Sequence, residues 1–196
     1  MSNPDNIIPS SEMHTEERLS LIKEPRPSLN WLNILIFLVI VTTTVTLDQF
    51  SKQWIRDNIP LGGSLPAMGQ LTIVHVQNTG SAFGLFTDQA FLLSIVAVAG
   101  LVVVLLFFRY LKQFGLAGGI ALSLIFAGAL GNLIDRLRLG HVTDFIYVRL
   151  WDSFYWPAFN VADSAITTGA ILLALVALNT FGKKHEPKRE AGKKDD

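Results

Sequence analysis

Four aspartates, Asp48, Asp135, Asp144 and Asp163, stand at the ends of strongly apolar stretches of this 196-residue chain. A carboxylate beside hydrocarbon is costly to ionise, so acids there line polar cavities and do work in them. Paired carboxylates that share one proton can hydrolyse an amide. The charged one takes a proton from water, while the protonated one polarises the carbonyl and later serves the leaving amine. Like charges at close range hold such a pair half-ionised, and it titrates as a unit. Asp144 and Asp163 are the candidates, because both stand at one face of the apolar region and the loop between them can turn back.

The elements that must position these acids are membrane spans. Half the chain is hydrophobic and only 16% is charged, a balance that suits an integral membrane protein. Apolar stretches at 29–47, 89–108, 116–134 and 163–181 are each about 20 residues, enough at ~1.5 Å per residue to cross ~30 Å of hydrocarbon. The first reads as a span and not as a cleaved leader, since its polar approach is long and no small-residue cleavage site follows. The expected fold is an all-α membrane protein, a four-transmembrane-helix bundle with a small extracytoplasmic β platform and an interfacial loop or helix.

Basic residues set the orientation. Arg18, Lys23 and Arg26 precede the first span, Arg109 and Lys112 lie between the second and third, and a Lys-rich run follows the fourth. Both termini are therefore expected in the cytoplasm, with the four acids at the extracytoplasmic face. Residues 1–28 read as a polar, disordered arm, 29–182 as the membrane domain and 183–196 as a charged cytoplasmic tail. Within the domain, 58–88 carries the β-prone run Leu71-Thr72-Ile73-Val74-His75-Val76-Gln77 and a turn at Asn78-Thr79-Gly80. The external loop 137–160 is rich in aromatic residues, which suits the headgroup region either as an anchor or as a lid.

Helix faces follow from small residues. Gly119, Ser123, Ala127 and Gly131 recur every four positions and lead to Asp135, a stripe that admits a close neighbour. Asp163, Thr167, Ala170, Ala174 and Ala177 are read as the interior face of the last span. Asp163 falls in its first turn, where the helix dipole favours a carboxylate, and Asn160 is an equally good cap. Asp48 and Lys52 are four apart: either an ordinary helix pair or an acid and its neutralising cation within the site.

Net charge is zero, so nothing argues for nucleic acid. The chain has no cysteine, which removes thiol nucleophiles and thiolate metal sites. Two rival readings remain. One is metal-assisted hydrolysis of a lipid headgroup, with His141, Asp144, Asp135 and Asp163 as ligands. The other is a small transporter with an acid relay, which calls for groups across the bilayer and not at one edge.

Five motifs then occur in order: Asp48-Gln49-Phe50-Ser51-Lys52, Asn78-Thr79-Gly80-Ser81-Ala82-Phe83, Gly128-Ala129-Leu130-Gly131-Asn132-Leu133-Ile134-Asp135-Arg136, Val142-Thr143-Asp144-Phe145-Ile146 and Phe159-Asn160-Val161-Ala162-Asp163. On a four-span chain this set resembles the lipoprotein signal peptidases (type II signal peptidases), intramembrane aspartyl proteases of bacteria. The resemblance covers about residues 30–182. It implies removal of the signal peptide from diacylglyceryl-modified prolipoproteins, cut just before the lipidated cysteine, in the bacterial inner membrane. It implies Asp144 and Asp163 as the catalytic pair, with Asp48, Lys52, Asn78, Gly80, Asn132, Asp135, Arg136, Asn160 and Ala162 as substrate-binding or supporting residues. Asn78 and Arg136 are expected to hold substrate backbone, Asp135 to orient Arg136, and Lys52 to tune charge, so that its loss is milder than loss of either acid. Partners are the lipid-modified precursor and membrane phospholipid; a monomer without cofactor is expected. Ala127 stands where the family often has glycine, and Thr143 where valine is common.

Overall fold

The computed structural model describes residues 31–66, 70–80, 90–108, 115–152 and 154–184. The 1–28 arm, the 109–114 loop and most of the 183–196 tail lie outside the described residues. Four helices lie among the described residues: α1 (Trp31–Asn58), α2 (Ala90–Phe108), α3 (Gly115–Leu139) and α4 (Val161–Lys184). Three strands, β1 (Leu71–Asn78), β2 (Val142–Trp151) and β3 (Phe154–Phe159), form one antiparallel sheet in the order β1-β2-β3. The helices α1, α3 and α4 are long and apolar enough to cross a membrane, and α2 adds a shorter apolar stretch at Phe91–Phe107.

Helix α3 is the centre, in contact with the other three. Its stripe of small residues explains why. Ser123, Ala127 and Gly131 are buried, as are Gly118 and Gly128. A methyl group on Gly128 would run into the Ala162 carbonyl of α4, and one on Gly131 would come within 2.6 Å of the Asp48 carboxylate of α1. Close approach of backbones is how helices associate where lipid competes with apolar side chains. One apolar cluster, Val104 and Leu122 with Phe37, Ile125, Phe126 and Leu173, ties all four helices together.

Helix α4 is rotated relative to the expected face. Ala162, Ala165 and Gly169 are its buried positions, whereas Thr167, Ala170 and Ala174 are exposed. Gly169 settles the rotation: a side chain there would strike the Ala121 carbonyl at 2.7 Å, so this residue marks a tight contact with α3. Thr167 consequently looks outward into open space beside Asp163.

The aromatic stretch 137–160 is neither loop nor interfacial helix; most of it is the β2–β3 hairpin. Its aromatic and β-branched residues pair across strands, with Tyr147 stacked on Tyr155 at 4.7 Å and Trp151 on Phe154 at 4.8 Å, the pairing that stabilises sheets. The platform expected from 58–88 alone is thus built from both of the long segments that join the helices. β1 follows the β-prone run and pairs with β2 from Leu71↔Val148 to Asn78↔Val142. Gly140, at φ 78°, ends α3 with its N–H on the Arg136 carbonyl at 3.0 Å. This left-handed stop throws the chain directly into β2. Ile55, Ile59 and Phe145, packed with Ile73, Ile146 and Val161, fasten the sheet to the end of α1.

Candidate active site

The sheet meets the ends of α3 and α4 at a cleft of about 1040 Å³. Asn78, Gly80, Asn132, Arg136, Asp144 and Asp163 all line it. Asp144 comes from the start of β2, and Asp163 from the first turn of α4. Two asparagines hold them. Asn160 donates through Nδ2 to Asp144 Oδ1 at 2.7 Å, and its Oδ1 accepts the backbone N–H of Asp163 at 2.9 Å. The Asp163 Oδ2 in turn accepts the Asn160 N–H at 3.2 Å. That reciprocal pair is a capping box, so Asn160 and Asp163 both start the helix, and the cap itself aims the carboxylate. Asn132 donates to Asp163 Oδ1 at 2.8 Å, and Asn78 to Asp144 Oδ2 at 2.9 Å. Each of the four carboxyl oxygens thus accepts one bond from a neutral donor.

Behind this pair lies a buried ion cluster. Lys52 is fully buried, with Nζ 2.9 Å from Asp48 Oδ2, 3.3 Å from Asp135 Oδ2 and 2.9 Å from Asn132 Oδ1. Asp48 uses its other oxygen to accept the Ala162 N–H at 2.9 Å. Asp135 accepts from Gln49 Nε2 at 3.0 Å and from the Thr143 N–H at 3.1 Å. Asp48 and Lys52 are therefore an i,i+4 helix pair that also forms part of the buried cluster behind the cleft. Asp135 is bonded to Lys52, Gln49 and Thr143; the expected role of orienting Arg136 does not arise from these bonds. Asn78 is likewise occupied, its Oδ1 accepting the Gly80 N–H at 3.0 Å, so it positions Asp144. Arg136 lines the cleft and reaches the Gly80 carbonyl at 3.4 Å, and its Nε is buried without a partner among the described residues.

Three residues outside the expected site set take part: Thr143, Arg56 and Gln49. Thr143 is fully buried; its hydroxyl accepts from Arg56 Nη1 at 3.0 Å, and its backbone N–H donates to Asp135, which ties the ion cluster to the residue just before Asp144. Arg56 follows Lys52 by one helical turn, and Asp48, Lys52 and Arg56 mark one face of α1; extending that stripe by four would have found it. Gln49, which also donates to the Gly131 carbonyl at 3.1 Å, gave no such signal. Among the described residues, no three of His, Asp and Glu gather as a group able to hold a metal ion.

Burial, and next the charge of Asp163, push the Asp144 carboxyl up to about 7, against the opposing hydrogen bonds from Asn78 and Asn160. An acid of this kind is partly protonated near neutral pH. Beside a second carboxylate it forms a set able to activate water and protonate a leaving group.

The signal peptidase (SPase) II family model matches residues 40–179, from the apolar part of α1 through nearly all of α4. The chain belongs to the signal peptidase II family. Membership makes it a membrane peptidase, and the apolar helices agree with a place in the bacterial inner membrane. The lipoprotein signal peptidase of Geobacter sulfurreducens is 44% identical over 144 residues, 71% of this chain and 89% of that one. The lipoprotein signal peptidase of Bartonella tribocorum is 38% identical over 159 residues, 77% and 91% of the two chains. A bacterial membrane enzyme structure obtained by the in meso method at 2.3 Å superposes with a TM-score of 0.71 at 33% identity, covering 79% of this chain and 94% of its own. The signal peptidase II family segment contains every residue of the cleft and of the ion cluster.

Proposed function

We propose that this protein is an aspartyl endopeptidase that removes the signal peptide from diacylglyceryl-modified prolipoproteins, cutting before the lipidated cysteine. The relatives' shared name supports the substrate class. The observation that carries the mechanism is the joint hold of Asn160 on Asp144 and Asp163, at the wall of one cleft. In this reading a water lies between the two carboxyls. Asp163, ionised, takes a proton from it; oxygen attacks the carbonyl of the residue before the cysteine. Asp144 donates its proton to the carbonyl oxygen, and the tetrahedral intermediate collapses as the cysteine nitrogen leaves with a proton from the pair. Arg136, on the wall of the cleft, binds substrate main chain, and Lys52 balances Asp48 and Asp135. No cofactor takes part.

All four helices span the membrane in this reading, α2 included, with both termini cytoplasmic and the cleft near the extracytoplasmic face; the basic flanks support that orientation. The scissile bond of a membrane-anchored substrate then lies at the depth of the two acids. The deciding experiment is a gel-shift assay with purified protein and matched precursors with and without the diacylglyceryl group. Cleavage of the lipidated precursor alone is expected, and robust cutting of the unlipidated one would remove lipid recognition from the account.

The titration of Asp144 sets a second expectation. Its carboxyl is protonated below about 7 and loses the proton above. A pair that needs one proton then falls silent as pH rises through that value, and also in strong acid when both carboxyls are protonated. The profile of kcat/KM against pH should be bell-shaped with its alkaline limb near neutrality; a flat profile from about pH 6 to about pH 9 would contradict the shared proton.

A further inference from the structure

The cleft continues past Asp163 along the outer face of α4. Ser164, Thr167 and Thr168 line it there, and at ~1.5 Å per residue Thr167 and Thr168 lie ~6–8 Å from Asp163 along the helix axis, toward the hydrocarbon. A hydroxyl at such depth ordinarily bonds its own helix. Ser164 does so, with Oγ on the Asn160 carbonyl at 3.0 Å, and so do Ser123 on Gly119 at 2.7 Å and Thr180 on Val176 at 2.8 Å. Thr167 and Thr168 have no hydrogen bond from their hydroxyls among the described residues, and both are exposed. Exposed threonines of α1, such as Thr42 and Thr43, do not line the cleft. The pair on α4 is set apart by its place: two unspent donors on the wall that leads from Asp163 into the bilayer. The rotation of α4 forced by Gly169 is what puts them there.

A substrate that enters as a membrane helix and is cut just beyond it brings a matching need. The last four carbonyls of any helix lack an intrahelical partner, and in hydrocarbon no water satisfies them. Resting on the peptidase reading above, we propose that the Thr167 and Thr168 hydroxyls donate to carbonyls of the final turn of the substrate's membrane helix, forming a main-chain subsite beside the scissile bond. Such a subsite reads no side chain. It selects a helix that ends at the depth of Asp163, and so helps to place the cut.

The test is steady-state cleavage of a lipidated precursor by T167V, T168V, the double variant and the hydroxyl-retaining T167S. Valine keeps the shape of threonine and removes the donor. Hydrogen bonds within membranes are modest, so KM should rise about three- to tenfold for each valine variant. Contacts made equally before and during the reaction leave kcat and its pH profile unchanged; T167S should restore the KM of the parent. Unchanged KM in the double variant overturns the proposal. So does a fall in kcat, which would make the hydroxyls part of a water path, or loss of folding, which would make them structural. Failure of the unaltered protein to cut any lipidated precursor would instead strike the peptidase reading itself.

Discussion

Asp144→Asn and Asp163→Asn should each lower cleavage of a lipidated precursor by at least about a thousandfold, since acid–base groups supply factors of up to about 10⁴ and neither can be replaced by the other. A carboxamide cannot take the water's proton or pass one on. The two variants should nonetheless differ in stability. Asp163 is only partly buried. In Asp163→Asn the amide oxygen can stay on the Asn160 N–H and keep the cap, while the amide nitrogen takes the place facing Asn132, a mismatch at a partly exposed position on the cleft wall. Asp144 is buried, with donors on both sides from Asn78 and Asn160. In Asp144→Asn the amide nitrogen must face one of those donors, a mismatch that costs about 1–3 kcal/mol when buried. Gel shift on purified protein gives the activity, and thermal unfolding in detergent gives the stability. Retained cleavage by either folded variant would strike that residue from the pair, and Asp163→Asn melting far below Asp144→Asn would reverse the structural ranking.

Lys52→Ala is the second large effect, and the geometry changes the expectation formed from sequence. A cation that merely tunes charge would be expendable. Lys52 is instead enclosed between Asp48 and Asp135 with Asn132 as a third partner. Its removal leaves two buried carboxylates facing each other without compensation, and breaking a buried pair by deleting one partner costs about 3–5 kcal/mol. Asn132 also loses a donor, and Asn132 holds Asp163, so the damage reaches the site. The melting temperature should fall sharply along with activity. Adding Asp135→Asn to Lys52→Ala should recover part of the stability, because one of the unpaired charges is then gone. Strict additivity of the two substitutions in a double-mutant cycle would mean that the cluster does not act as a unit.

The same cluster shows where a sequence stops speaking. Asp48 and Lys52 announce a helix pair by spacing alone, but the third member, Asp135, is contributed by another helix far along the chain. What brings it there is the glycine approach at Gly131, against which Asp48 is pressed. Likewise, the aromatic run from Tyr147 to Trp156 suited an interfacial segment as well as a strand, since those residue types serve both. Pairing with β1 decides for the hairpin, and a partner strand is not a local property. Thr143 looked like a mild departure from a family pattern; its hydroxyl is in fact bonded to Arg56.

The membrane class, the positions of the apolar helices, the strand at Leu71 and the ordered set of polar residues at helix ends were all determined by the sequence itself. Each rests on hydropathy, local propensity or short spacing, which act within a few turns of chain. The rotation of α4, the convergence of Asp144 and Asp163 on Asn160, the enclosure of Lys52 and the elevation of the Asp144 carboxyl to about 7 were decided only by tertiary structure. These depend on which backbones touch and what they exclude from water, and the free energy of a buried charge is set by neighbours that the chain brings together from afar.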